Sequence, residues 1–524
     1  MSTVAVIGLG PAGLVALKNL KQEGFEVAGF DRHDYVGGLW QYSARDETSV
    51  TETTVVNISK ERGCFSDFPY PDDVPSYPTA AQVQQYLVAY AEHYHLMPHL
   101  RLSTTVGSII YDDGRQKWVL HLPDRSDQLF DRVVIAIGGM VSAAHVPVIE
   151  GIDRFKGLTL HSQAFKQPHN YAGKRVMVVG FSNSAADTAT SLTGVADKVY
   201  LAHRHGSRIL PRGYDGAPID HTLSIRLFQI QCLIFRYFPR FGERFFDKFI
   251  KNLQDKSFKL RPEWGFEPVG KIPIVSDTLV PYLEDGVIES VKGIKRILSA
   301  TTVELEDGRQ IEVDVLVWCT GYKADFGMVE ARFDPTCRTP PASWTTASGS
   351  NNKSLFRLYH NVFSLEKPDS LAFLGNVHFA IGGFFIFDMA SQAIAQVWKG
   401  ASHLPSTAEM QAEVDRHHDW LGDHAQRSIN VSPGTVDGGP WVKAMDNIAG
   451  TGTNEYLGYG WKGWWFWLTD NRFCRLVMGG IWSPHIHRVF DMGKRTAWSG
   501  ARAAIEKVNE DVAANKRRQK TKFA

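Results

Sequence analysis

Apolar positions fall into one arrangement that occurs twice. Residues 4–14, V-A-V-I-G-L-G-P-A-G-L, form a short apolar run that breaks into glycines and resumes at helical spacing through Leu14, Leu17 and Leu20. This pattern predicts a buried parallel strand followed by a helix, with Gly24 as its stop signal. A second strand is expected at Phe25–Phe30, ending at Asp31. The same signals recur from Lys174 in K-R-V-M-V-V-G-F-S-N-S-A-A-D, and the following strand, Lys198–Ala202, ends in His203 and Arg204. Strands alternating with helices predict an α/β chain with parallel sheets.

Two later stretches depart from this pattern. Residues 224–252 mix bulky apolar side chains with Arg and Lys, and Pro239 is expected to break them into two helices. No stretch reaches 18 uninterrupted apolar residues, so no bilayer span is expected. An interfacial helix, a cap over a substrate entrance and an insertion packed on the second nucleotide unit all remain open for this segment. The run Gly458–Trp467, G-Y-G-W-K-G-W-W-F-W, holds four of the 14 tryptophans. It is expected to be domain core, with an apolar channel lining or a membrane surface as alternatives. The tail from Lys516 carries five basic residues among its last nine and is expected to be a solvated helix end without an apolar anchor.

The glycines carry chemistry. In the first loop, Gly8, Leu9, Gly10, Pro11, Ala12 and Gly13, the three glycines permit a tight turn, approach of a pyrophosphate and close helix packing. Asp31, eighteen residues past Gly13, can accept from a ribose hydroxyl. The second loop is degraded: Gly180 stands first, Ser182 second and Ala185 third, with Asn183, Ser184, Ala186 and Asp187 completing the expected contact set. Arg204 stands where an NAD site places its acid and can pair with a 2′-phosphate; Arg208 and Arg212 lie close enough to assist. An acidic first site and a basic second site suggest bound FAD and exchangeable NADPH, a hydride relay.

Composition narrows the remaining choices. The 524 residues give a prior of three or four domain-sized units. Lys plus Arg total 57 against 56 Asp plus Glu, so no general nucleic-acid-binding face is expected. Five scattered cysteines form no C-x-x-C pair, which argues against a disulfide framework, a zinc site and a disulfide reductase; Cys64 has no close cysteine neighbour. With no signal peptide read at the N-terminus, a reducing, cytoplasmic setting is expected. His417, His418 and His424 lie in a polar segment read as a solvated helix, and no metal site is expected.

Further motifs resemble the flavin-containing monooxygenases, class B flavoprotein monooxygenases of the fungal and bacterial type. F-K-G-L-T-L-H-S-Q-A-F, Phe155–Phe165, is similar to their identifying motif and sits between the two nucleotide loops. G-G-L-W at Gly37–Trp40, N-I-S-K-E at Asn57–Glu61, F-S-D-F-P at Phe65–Pro69, C-T-G-Y at Cys319–Tyr322, S-P-H-I-H-R-V-F at Ser483–Phe490 and the W-S-G-A-R that follows resemble further segments, in order. The resemblance implies flavin or NADP contacts at Gly38, Leu39, Trp40, Val56, Asn57, Thr320, Gly321 and Tyr322. It also implies a catalytic Asn57 beside the flavin N5 region and His161 as a hydrogen-bonded linker residue.

The implied fold is α/β, with two interleaved Rossmann-like dinucleotide-binding domains and a helical C-terminal extension. The expected divisions are 1–160 and 318–400 for FAD, 161–317 for NADP and 401–524 for the extension. The implied activity is that of an N,N-dimethylaniline monooxygenase-like enzyme: NADPH-reduced FAD and O2 give a C4a-(hydro)peroxyflavin that passes one oxygen to a small organic substrate. Phe165 and Lys166 stand where the commoner Baeyer–Villiger enzymes have Trp and then Pro or Asp, which favours nitrogen or sulfur as acceptor. Baeyer–Villiger oxygenation, hydroxylation of a biosynthetic intermediate and a non-catalytic nucleotide-binding protein, the last motivated by Ser182, stay as alternatives. Peripheral membrane contact and a homodimer are compatible with this reading.

Overall fold

The computed structural model describes residues 2–266, 273–379 and 381–522, with the side chains of the last helix described to residue 515. The first apolar run forms β1 (Thr3–Ile7), which pairs in parallel with β2 (Glu26–Phe30) on one side and with Arg132–Ile135 on the other. These strands are central to a seven-stranded sheet that runs Leu358–Tyr359, Phe363–Ser364, Leu371–Phe373, Arg132–Ile135, β1, β2 and β3 (Leu100–Arg101). β1 reads as a continuous apolar run because both of its faces are covered. Val4 and Val6 pack into a helical layer that includes α1 (Pro11–Gln22), α2 (Ala80–His93) and the helix Gly383–Trp398. Ala5 and Ile7 face a three-stranded meander, Ser108–Phe130, through a core that includes Trp118 and Phe130.

A second sheet is parallel throughout, in the order Ile288–Lys292, Lys198–His203, Arg175–Val179, Val315–Trp318 and Leu158–His161. Helix α3 (Asn183–Ser191) makes the crossover between its second and third strands, and another meander, Ile294–Glu312, covers the opposite face. The expected divisions at 160/161 and 317/318 therefore cut through two strands of this sheet. The changeover lies further out, where the outgoing segment Ala143–Ala144 pairs antiparallel with the returning segment Tyr322–Lys323. Both crossings are thus tied to each other by backbone hydrogen bonds.

The insertion is a helical hairpin of α4 (Ile225–Tyr237) and α5 (Pro239–Ser257), with Pro239 opening the second helix, where its missing N–H costs nothing. It extends five residues past the expected end at 252. After residue 400 the chain is helical, and it joins the first domain through buried charges. Asp67 lies between Lys18 and Arg488, Asn19 donates to Asp388 and Ser391, Arg495 donates to Asn19, and the Ser66 N–H donates to Asp388.

Two expectations need correction. The tryptophan run is not core: helix Trp461–Thr469 buries only Gly463 and Phe466 and exposes Trp461, Trp464 and Trp465. The helix holding His417, His418 and His424, Thr407–Gln426, is not simply solvated. It buries Met410, Val414, His418 and Leu421, and His418 Nε2 donates to the Phe356 carbonyl at 3.1 Å. Among the described residues no His, Cys, Asp or Glu group is arranged to hold a metal ion, and no helix is long and apolar enough to cross a membrane. The side chains of the basic tail from Lys516 lie outside the described residues.

Candidate active site at the junction of the two nucleotide-binding domains

The first glycine loop leaves the carboxyl end of β1, where parallel sheets place their ligands. Two of its glycines are demanded by the protein. Gly8 has φ +94° and a Cβ there would stand 2.5 Å from the Ala136 carbonyl oxygen; a Cβ on Gly13 would stand 1.8 Å from the Gly8 carbonyl oxygen. Gly10 differs: its nearest obstacle is Gly38 Cα at 3.7 Å, so the protein itself leaves room for a side chain. The backbone is bare where a pyrophosphate would meet the N-terminus of α1, whose first turn carries no side-chain cap.

Asp31 at the end of β2 accepts from the Leu9 N–H at 2.7 Å through one oxygen, and from the His33 N–H at 3.0 Å and His33 Nδ1 at 2.9 Å through the other. Burial would raise its pKa, yet these hydrogen bonds outweigh it and hold the carboxyl below the ordinary value. His33 reaches on to Glu47 at 2.9 Å, and its own pKa is raised, chiefly by the bond to Asp31. The carboxylate expected at the ribose is therefore anchored in an Asp31–His33–Glu47 chain and also shapes the phosphate loop.

The turn Gly37–Trp40 packs on that loop, since a Cβ on Gly38 would come within 3.0 Å of Gly10 Cα. At the same edge of the sheet, past Leu371–Phe373, Asn376 is buried and neither its amide oxygen nor its nitrogen has a partner among the described residues. An orphaned amide at the carboxyl end of the same parallel strands that carry the bare glycine loop suits a ligand rich in donors and acceptors, as FAD is.

In the second loop Gly180 has φ +127°, and a Cβ there would meet the Cys319 carbonyl oxygen at 2.4 Å. Ser182 is the N-cap residue of α3, yet its hydroxyl caps nothing, and its side chain is exposed and available to a phosphate. Ser184 is exposed too, Ala185 and Ala186 are buried under the helix, and Asn183 accepts from the Val275 N–H at 2.9 Å. Arg204 is 64% exposed and has only a loose ion pair with Glu306 at 3.8 Å, so it is available to a 2′-phosphate. Its expected helpers are engaged elsewhere: Arg208 pairs with Asp247 on α5 at 3.0 Å, and Arg212 faces the first domain.

Arg212 holds Asn57. Its guanidinium donates at 3.0 Å to the Val55 carbonyl, the Val56 carbonyl and Asn57 Oδ1, while Asp277 binds its remaining edge at 3.0 Å. A guanidinium only donates, so the amide oxygen of Asn57 must face it and the NH2 must face away. The Tyr77 hydroxyl donates to the Arg212 carbonyl, Asp220 accepts from the Ser59 N–H at 2.8 Å, and His221 meets Glu61 at 3.1 Å. Residues 212–221 thus clamp residues 55–61 of the other domain. Asp187 in α3 feels the same arginine: burial raises its pKa to about 6, with Arg212 opposing the shift.

The sequence reading missed Tyr77, Asp220 and His221 and misplaced Arg212. One signal was available, the Asp215-Gly216 pair, a hairpin-turn dipeptide that folds Gly213–Pro218 back on itself and aims both flanks at the first domain.

The match to a known family covers this whole arrangement: the model for flavin-binding monooxygenase-like proteins aligns with residues 1–521. The chain belongs to this family. A monooxygenase named aurF from Gibberella zeae is 45% identical over 518 residues, 97% of this chain and 98% of the relative. Flavin-containing monooxygenase 5 of Rattus norvegicus is 31% identical over 519 residues, covering 96% of this chain and 91% of the relative. Among solved structures, the S-allyl-L-cysteine S-oxygenase of Allium sativum superposes with a TM-score of 0.62 at 19% identity, covering 98% of this chain and 99% of its own. Cyclohexanone monooxygenase with bound cyclohexanone gives 0.60 at 18%, covering 86% and 98%; at these identities the likeness shows the fold alone. The protein is a flavin-dependent monooxygenase with FAD and NADPH as its cofactors.

In this monooxygenase the identifying motif is part of the domain junction. His161 Nε2 donates to the Gly321 carbonyl at 2.9 Å while Nδ1 accepts from the Gln163 N–H at 3.2 Å, which fixes a neutral tautomer; burial lowers its pKa. Its ring meets Tyr322 edge to face at 4.9 Å, and the Thr320 hydroxyl donates to the His145 carbonyl at 2.5 Å. Phe165 is buried and stacks on Tyr171, and Lys166 Nζ donates to the Glu47 carbonyl at 2.6 Å. The motif therefore ties both nucleotide domains to the Asp31–His33–Glu47 chain.

Proposed function

We propose that the enzyme transfers one oxygen atom of O2 to a nitrogen or sulfur atom of a small organic substrate. FAD supplies the oxygen-transferring chemistry once NADPH has reduced it. The chain's own part is to hold, align and shield the two cofactors. In this reading Gly8–Gly13, Asp31 and Gly38–Trp40 hold FAD, with the α1 N-terminus toward its pyrophosphate. Gly180, Ser182 and the α3 N-terminus receive NADPH, and Arg204 selects it over NADH.

One observation supports the proposal: the Asn57 amide is fixed by an arginine of the opposite domain. A neutral amide that donates from one side and is locked on the other can orient two cofactors without adding charge. The preference for a heteroatom rests on Phe165 and Lys166 in place of Trp followed by Pro or Asp. A reducing, cytoplasmic location is the accompanying reading, supported by five free cysteines.

The test is a panel of amines, thioethers, indoles and ketones scored for product rather than for NADPH loss. Oxygenated nitrogen or sulfur compounds are expected; esters or lactones from ketones alone would refute the heteroatom preference. Asn57→Asp is expected to retain FAD and release hydrogen peroxide in place of product, and unchanged coupling would remove the role of Asn57.

A further inference from the structure

His33 presents both of its ring nitrogens to carboxylates, Nδ1 to Asp31 Oδ1 and Nε2 to Glu47 Oε2, each at 2.9 Å. A neutral imidazole carries one N–H and one lone pair, so it can donate to only one of them. Two donations need either a doubly protonated ring or a protonated carboxyl. Burial would raise the pKa of Asp31 and of Glu47, yet hydrogen bonds and the neighbouring cations outweigh it and hold both below their ordinary values. Asp31 also accepts from the Leu9 and His33 N–H groups, donors that suit an anion. The extra proton therefore sits on the ring, which is an imidazolium between two anions. The side chains of His33, Asp31 and Glu47 are only 13%, 10% and 15% exposed, so water competes little for these bonds.

Each end of this bridge holds a different part of the protein. Through Asp31 it reaches the first glycine loop, because the other Asp31 oxygen accepts from the Leu9 N–H at 2.7 Å. Through Glu47 it reaches residues 43–49, which the second domain grips from outside. Lys166 Nζ donates to the Glu47 carbonyl at 2.6 Å and to Ser49 Oγ at 2.7 Å, and Gln163 Nε2 donates to Thr48 Oγ1 at 2.5 Å. Glu47 Oε1 is buried without a partner among the described residues, so the His33 N–H is the hydrogen bond that holds this carboxylate. The Tyr35 ring stacks on the imidazole at 4.9 Å; burial first, then Glu47 and Asp31, push its phenol up to about 12, so it stays neutral. Asp34, Arg45 and Asp46 are charged neighbours on the same loop, and Lys166 faces it from the second domain. Arg101 of β3 turns to the Pro98 and Leu100 carbonyls.

We propose that His33 is a positioning residue for FAD: as an imidazolium it fixes the Asp31 carboxylate and ties it through Glu47 to the linker motif of the second domain. This rests on the reading that Asp31 holds FAD. When the ring loses its proton, one of the two carboxylates meets a bare lone pair and the bridge opens at that link. The His33 pKa is raised, chiefly by the bond to Asp31, so the closed bridge is fully present below the ordinary value of about 6.5 and is lost as the pH rises through the raised one. The test dilutes the holoenzyme at a series of pH values and reads released FAD by its fluorescence. Wild type is expected to hold FAD roughly tenfold more weakly at about pH 9 than at about pH 6. His33→Gln should bind weakly at both, without a slope. His33→Arg, a cation that does not titrate in this range and has donors for two carboxylates, should bind tightly at both. No slope in wild type, or a wild-type slope in either His33 variant, would overturn the proposal. Asp31→Asn separates the two readings. FAD held as tightly as by wild type would show that Asp31 does not hold the cofactor; loss of FAD by Asp31→Asn beside wild-type behaviour of His33→Gln would overturn the role of His33 alone.

Discussion

Removing Arg212 tests whether the junction geometry governs catalysis. Arg212→Met keeps the length of the side chain and deletes three hydrogen bonds to residues 55–57 and one ion pair to Asp277. The ion pair is half-exposed on the Asp277 side and adds little. The bonds to Val55 and Val56 hold the segment, and the one to Asn57 Oδ1 decides which way the amide faces. A hydrogen bond from a cation contributes about 1.5–3 kcal/mol, so losing the orienting one alone lowers the properly posed population, and with it flavin reduction, roughly ten- to hundredfold. The measurement is anaerobic stopped-flow reduction by NADPH, followed in air by hydrogen peroxide formed per NADPH consumed. Slower reduction and a higher peroxide fraction are expected at unchanged FAD content. Arg212→Lys should fall between the two, since one ammonium cannot replace the fork that spans three acceptors. Reduction and peroxide release by Arg212→Met within about twofold of wild type would refute the reasoning, because a barrier change of that size is under 0.5 kcal/mol.

Other sites give independent checks. Arg204→Ala should raise the KM for NADPH roughly tenfold or more and leave that for NADH unchanged; a parallel change in both would show that Arg204 does not read the 2′-phosphate. Gly13→Ala would bring its Cβ to 1.8 Å from the Gly8 carbonyl oxygen, so the purified variant should lose its flavin colour, and full FAD occupancy would contradict the packing argument. Asp67→Asn leaves Lys18 and Arg488 buried without their shared anion, which should cost about 3–5 kcal/mol and lower the thermal midpoint. Burial pushes the Asp67 pKa up, but the neighbouring cations outweigh it and hold it well below the carboxylate range. A depressed folded-state pKa means stability that is present above the unfolded value and lost as the pH falls through the folded one. The advantage of wild type over Asp67→Asn should therefore be full above about pH 5 and shrink progressively below about pH 4; a pH-independent gap would show that the charge is not what stabilises.

What could be read from the sequence follows from the range of each interaction. Gly8, Gly13 and Gly180 were legible because their constraints are local: each must lack a side chain against backbone a few residues away or on the adjoining strand. Asp31 was legible in position but not in use, since its anchoring to Leu9 is local while the link through His33 to Glu47 crosses a loop without regular spacing. Arg212 was misplaced because basic residues after the strand Lys198–His203 look equivalent in one dimension, and only the hairpin at Asp215-Gly216 turns Arg212 away from Arg204 and toward Asn57. The Lys18–Asp67–Arg488 group could not be found at all: its members lie 49 and 421 residues apart, and no periodicity links them.

The tryptophan helix failed for a different reason. Spacing of i, i+3, i+4 and i+7 reports that a helix has an apolar face, not which solvent that face meets, and water, protein and lipid interface give the same periodicity. What separates them is what lies opposite. For α1 it is the helix Gly383–Trp398 and the sheet core, so its leucines are buried. For Trp461, Trp464 and Trp465 no described residue covers the face, and they stand 75%, 60% and 58% exposed. Placing bulky aromatics in water is unfavourable, which is why the same spacing led to the expectation of core and why its failure could be seen only in the folded chain, where the opposite face is defined.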